Sequence, residues 1–389
     1  MNVNVKKLKR FLTITVICIL VVAFRIDAKA ENENGYPDIS IYFNEQSEAS
    51  GASDLPQFLD ENSREYLEAV GCNGADIDGI MSFSLRSVFE MLMNMLRVNI
   101  SSPLKGCMTA CGAVMLVSVC SGFFPDDEKT KGVMNLVCGC FVILSVFASA
   151  VESVRAGASA MKLCSGFEKA LIPVLAGIVT ASGNPTAAIS YQGTAFAAAQ
   201  AVEAFADNVA LPLVYVSGIL GATGAFLPTM KLSAVSEMIR KTSTTVFASV
   251  ASIFAGFLTL KNVIAGSADG LAAKGIRLAA NTFIPVVGGA LGEAYSALSG
   301  SLSLLKSVVG IYGILAVLAV CLPSVISLTL WVLAMRTACM MSDLLGNAQC
   351  SEILKNISFM FSMLNVMIIF SSALFIISSG LVAAMKTGG

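Results

Sequence analysis

Eight uncharged, strongly apolar runs pattern the chain beyond residue 104, and a shorter one of 14 residues, Phe11 to Phe24, lies near its start. The eight run from Gly106 to Pro125, Gly132 to Val151, Ala170 to Val202, Asn208 to Met230, Thr242 to Leu260, Leu278 to Gly292, Ser307 to Met335 and Asn356 to Met385. Their lengths of 15 to 33 residues compare with the roughly 20 that a helix needs to cross about 30 Å of hydrocarbon. They predict six to eight crossings. In lipid only a helix or a closed barrel satisfies every backbone group, and these runs are too long and continuous for barrel strands. The expected fold is an all-α polytopic membrane bundle.

Before the bundle the pattern changes. Phe83, Leu85, Val88, Phe89, Leu92, Met95 and Leu96 recur at spacings of three and four, the signature of an amphipathic helix over residues 82–99. A second such segment spans residues 55–70. These faces suit the bilayer surface, a partner, or the protein's own membrane domain. From Glu31 to Ser53 the chain is rich in Glu, Asn, Ser and Gly, too poor in large apolar side chains to offset ordering entropy, and is expected to be flexible.

Charge divides the chain into the same three parts. Residues 1–30 hold six basic side chains and one acid around the 14-residue run. With Ala28-Lys29-Ala30 behind it, this reads as a signal peptide cleaved after Ala30. Residues 31–103 carry thirteen acids and three basic residues, which marks an acidic extracytoplasmic region. Residues 104–389 form the polytopic domain. Lys and Arg divide almost evenly between its two sets of loops, so loop charge does not orient it. The signal peptide does, placing Glu31 outside.

Composition then removes whole classes of chemistry. Hydrophobic residues make up 56% of the chain and charged ones 13%, against about 25% charged in a soluble domain. His is absent, so a Ser/His/Asp triad, a Cys/His dyad and a His-ligated metal are excluded. No phosphate-binding loop occurs, and Gly270 to Gly275 lacks the spacing of one. A net charge of −1 gives no footprint for nucleic acid. The expectation is a protein that is not an enzyme and holds no metal or other cofactor. The eleven Cys are mainly small core side chains. Cys72, in the acidic region, is the one placed to pair with another chain or with a loop thiol such as Cys164, or to stay unpaired.

Two features are candidate chemistry. Ala170 to Gly177 and Thr282 to Gly289 align as ALIPVLAG and TFIPVVGG, an internal repeat of Pro and Gly breakers in the third and sixth runs. Pro173, Gly177, Gly183 and Pro185 in one, and Pro285, Gly288 and Gly289 in the other, are candidate positions of helix breaks or re-entrant turns. The other feature is a polar stripe. Gln200, Glu203 and Asp207, spaced three and four, share one helical face with Gln192 two turns earlier, and small Ala residues surround them. With Glu293 they are either the lining of a conduit that selects cations or carries protons, or simply an interfacial loop.

Those breakers, together with Leu211-Pro212-Leu213, the Ser217 to Gly221 segment and the stretch from Asn281 to Leu291, resemble the stage III sporulation protein AE family of endospore-forming bacteria. The likeness is strongest from Glu168 to Ser307. The resemblance implies a component of a secretion-like channel complex in the mother-cell membrane surrounding the forespore, required for late forespore gene expression. Its implied partners are a secretion-type ATPase, ring-forming membrane proteins and a forespore membrane protein across the intermembrane space. The resemblance assigns no catalytic residues. An ion-coupled secondary transporter of a small solute is the alternative, resting on Glu203, Asp207 and the broken segments, and a third reading makes the bundle a scaffold that only seats the assembly's rings.

Overall fold

The computed structural model describes residues 39–77, 79, 85–123, 128–226, 237–239, 241–246, 248–250, 252 and 288–384. The expected signal peptide, Pro285 and most of the fifth and sixth apolar runs lie outside them. Among the described residues every regular element is helical. Two short helices, α1 (Ile39–Ser50) and α2 (Glu61–Ala69), flank a 3₁₀ segment, Ala52–Phe58. The long helices are α3 (Leu85–Phe123), α4 (Glu128–Ala181), α5 (Pro185–Phe205), α6 (Leu211–Phe226), α7 (Gly288–Leu344) and α8 (Ala348–Ala384). A π-helical turn, Ala206–Ala210, joins α5 to α6 without a break.

Five stretches among the described residues are long and apolar enough to cross a membrane: Arg86–Cys120, Val151–Ala181, Pro185–Ile219, Leu298–Leu344 and Ala348–Gly380. The all-α polytopic fold read from the apolar runs is what the structure has. Its segmentation differs. The third run, Ala170 to Val202, is two helices meeting at a turn, Ser182 to Asn184, where Gly183 takes φ +85°. Glycine enters that left-handed region without a steric penalty, and Pro185 then opens α5 at a position where the missing N–H costs nothing. The expected loop around Cys164 does not exist, because α4 runs through it and buries the thiol completely.

A tight hairpin of α7 and α8 forms the centre. Its turn, Leu345 to Asn347, has Gly346 at φ +75°, and the Ser342 hydroxyl donates to the Asn347 carbonyl at 2.8 Å. Trp331 of α7, fully buried, stacks on Phe361 of α8 with centroids 5.4 Å apart. Further along, Gly310 lies so close to α8 that a Cβ there would sit 2.6 Å from that of Ala383. These pairs make the two helices antiparallel. α4 packs on both, with Phe167 edge-on to Tyr312 and Gly157 against Leu364. α3 lies parallel to α7: Met95 is near Ile326, and Cys107 meets Thr337 at 3.1 Å. The α5–α6 rod closes the other side against α4 and α8. Apolar burial drives little association among helices in lipid, so small residues at crossings and interhelical hydrogen bonds carry specificity. The Asn365 amide donating to Thr329 at 2.8 Å is one such bond.

The acidic region is more ordered than its composition predicts. α1 packs on α7, burying Phe43 and Ser47, and the Ser301 hydroxyl donates to Gln46 at 2.9 Å. Leu55 and Leu59 join the main core. Arg64 fastens the 3₁₀ segment, donating to the Leu59 and Gln57 carbonyls at 3.1 Å each. Composition underestimated this part because its few apolar side chains are spent on one face, against a bundle that supplies the rest of the core. The amphipathic segment forms the first turns of α3, where Met91 and Met95 are buried with Val70 against Leu322 and Ile326. Of its three open readings, packing on the protein's own domain is the one observed.

Candidate functional site

The polar stripe is helical from end to end. α5 and the π turn carry Gln200, Glu203 and Asp207 through the region that the alternative reading made a loop. α4 lies beside them and brings lysines to the same face, because Lys162 and Lys169 are seven residues apart, two helical turns. Lys169 forms an ion pair with Glu203, and Lys162 lies 3.6 Å from Asp207. The antiparallel order of the hairpin sets this pairing, the higher-numbered lysine facing the lower-numbered acid. The result is a two-rung ladder between α4 and α5.

The ladder faces outward. The Lys169 and Glu203 side chains are 33% and 37% exposed, those of Lys162 and Asp207 62% and 40%. Gln192 and Gln200 are exposed beside them. In water such pairs contribute about 0–1 kcal/mol each. Their chemical effect is to cancel charge, so neither acid offers an uncompensated carboxylate for a cation. Behind the ladder an apolar crevice lined by Val202, Phe205, Ala206, Met367 and Phe370 has a volume of about 10 Å³, which holds one water molecule and no solute.

The expected breakers are dispersed. Pro173 lies inside α4 with the helix continuing on both sides, and Gly177 follows it one turn later. Both are on the exposed face. The absent proline N–H leaves a carbonyl one turn earlier on the outer side of the helix, a defect that a membrane helix tolerates there. Pro173 and Gly177 therefore do not break the chain, whereas the other two positions expected in this run, Gly183 and Pro185, do. Gly288 and Gly289 open α7, and Glu293 lies in its first turns. Pro285 lies outside the described residues.

One residue was not singled out from the sequence. Glu168 is 1% exposed, inside the bundle, although its neighbour Lys169 points outward. On a helix adjacent residues are about 100° apart, so a Glu-Lys dipeptide sends one charge each way. The signal was the stripe Cys164, Glu168, Leu171 and Leu175, all buried, which emerges only if α4 is extended through the assumed loop. Around the Glu168 carboxyl stand the hydroxyls of Ser378 and Ser379 on α8 and of Tyr191 on α5, with Cys164 one turn before it. Neither carboxyl oxygen has a hydrogen-bond partner of normal geometry, and the buried hydroxyls of Ser165 and Ser379 have none either.

A bundle of membrane-length helices with an ordered acidic segment along its core and a charged ladder on one hairpin defines the class: a multi-pass α-helical membrane protein. Residues 73–386 match the family of stage III sporulation protein AE, and the chain belongs to that family, with a role in sporulation. It is similar to the stage III sporulation protein AE of Bacillus subtilis (strain 168), 22% identical over 395 residues that cover 96% of this chain and 98% of that one. No solved structure matches.

Proposed function

We propose that the protein is a non-enzymatic component of a secretion-like channel complex between mother cell and forespore, seated in the mother-cell membrane surrounding the forespore and required for late forespore gene expression. Its family supports the sporulation part. The observation that supports the channel part is the ladder. Two lysines, two acids and two glutamines lie half-exposed along one outer face of an otherwise apolar hairpin, a placement that lipid opposes and that a protein neighbour or a water-filled conduit satisfies. The partners of this reading are a secretion-type ATPase, ring-forming membrane proteins and a forespore membrane protein across the intermembrane space. The transporter reading required free carboxylates at Glu203 and Asp207, and both face lysines.

Deletion of the gene in its sporulating host, scored by forespore shape and a late forespore-specific reporter, tests the proposal. The expected result is complete engulfment followed by a silent forespore, restored by the wild-type gene. A Glu203→Gln/Asp207→Asn double variant that accumulates normally should fail to restore it. Normal spores from the deletion strain would overturn the reading.

A further inference from the structure

Glu168 is buried in the bundle, with both carboxyl oxygens out of contact with solvent and without a hydrogen bond of normal geometry. No ion pair reaches it among the described residues. On its own helix Lys169 is turned outward to Glu203. The titratable groups that face it or stand behind its neighbours are Cys164 of α4, Tyr191 of α5, and Tyr312 and Cys321 of α7. α8 presents only the hydroxyls of Ser378 and Ser379. Lys306 of α7, the other buried charge-bearing residue among those described, lies almost two turns before Tyr312 and makes no ion pair with Glu168. An ionised carboxylate in such surroundings carries a desolvation penalty of several kcal/mol or more, with no positive charge to offset it and only the neutral hydroxyls of Ser378 and Ser379 beside it.

Neutrality there takes a bound cation, and the surroundings select which. A metal ion needs several oxygens wrapped around a space of its own size. Here Phe167, Leu171, Ile172 and Leu175, fully buried around the same stretch of α4, supply no oxygen, and the donors beside the carboxyl are the neutral hydroxyls of Tyr191, Ser378 and Ser379, with no second carboxylate among the described residues to balance a metal ion's charge. A proton needs only a lone pair. We infer that Glu168 is a proton-binding site within the membrane domain, where the neutral carboxyl joins α4 to the Ser378-Ser379 segment of α8. Loss of that proton would put an unpaired charge between the two helices and loosen their contact. The site is separate from the outward ladder and does not depend on the channel reading.

Infrared spectroscopy of the purified full-length protein in lipid nanodiscs tests this at neutral pH. The expected result is a carboxylic-acid carbonyl band that shifts when glutamate is supplied with a ¹³C carboxyl, is lost in Glu168→Gln, moves in Glu168→Asp, and is unchanged across a sodium titration at fixed pH. Absence of a glutamate-derived acid band, or one indifferent to Glu168→Asp, would overturn the inference. So would a band that sodium abolishes, which would make the site one for a metal cation. The isotope and Glu168→Asp arms keep the test decisive if Glu168→Gln fails to accumulate.

Discussion

Glu203 and Asp207 were legible as a stripe from spacing alone, but their lysines were not, because Lys162 and Lys169 sit in a stretch that loop arithmetic assigns to a connection. The pairing makes a specific expectation. Lys169→Met should lower the stability of the isolated protein by about 1 kcal/mol or less, since the pair is one-third exposed, and should nevertheless impair sporulation by leaving Glu203 charged and alone. A Lys169→Glu/Glu203→Lys exchange should restore spore yield, and failure to do so with normal accumulation would count against a role for the pair. Cys72 behaves oppositely, as a thiol with a structural part. It is buried and donates to the Gly79 carbonyl at 3.6 Å, and burial, then the Asp76 carboxylate, pushes its ionisation above the ordinary value of 9.0. Tyr66 is raised in the same way by burial and then by Glu65 and Asp60. The folded chain thus holds protons that the unfolded one releases, so this contribution to stability is intact below about pH 9 and declines as pH rises beyond it. Cys72 should resist maleimide at neutral pH and react on unfolding; fast native labelling would contradict its placement.

At the scale of the helices, apolar runs revealed that helices exist and not where they end. Charged residues such as Glu152, Arg155, Lys162 and Lys169 interrupt hydropathy without interrupting α4, and only a left-handed glycine with a following proline stops it. The Pro173 motif misled for the same reason: a proline on the outer face of a long helix costs one hydrogen bond and leaves the others. Two sets of substitutions separate these roles. Gly310→Leu should destabilise the bundle by about 1–3 kcal/mol, because the position faces Ala383 with no room for a side chain. Gly177→Ala, where a Cβ meets nothing within 4 Å, should be neutral or stabilising by up to about 1 kcal/mol. Thermal unfolding of the purified variants reads both. A loss at Gly177 as large as that at Gly310 would return the break to the middle of α4.

For the whole molecule, the contacts fix an order that loop charge left open. α3 and α7 run one way, α4 and α8 the other, and the turns at Ser182 to Asn184 and at Leu345 to Asn347 lie at opposite ends of the bundle. Gly51 meets Val174 and Gln46 meets Ser301, so the acidic segment shares its end with the first turn. If that segment is outside, as the basic, apolar and small-residue pattern of residues 1–30 implies, then the α4–α5 turn is outside too and the α7–α8 turn faces the cytoplasm. Thr186→Cys should therefore react with a membrane-impermeant maleimide in intact protoplasts, above the signal of the parent protein, and Leu345→Cys only after permeabilisation. The reverse result would invert the molecule in the membrane, and labelling of both from one side would mean that the bundle does not cross it. The expected result also sets the ladder nearer the extracytoplasmic end, since Lys169 and Glu203 lie on the stretch of the hairpin that leads to the outer turn. A conduit or partner that uses this face would meet it from the extracytoplasmic side.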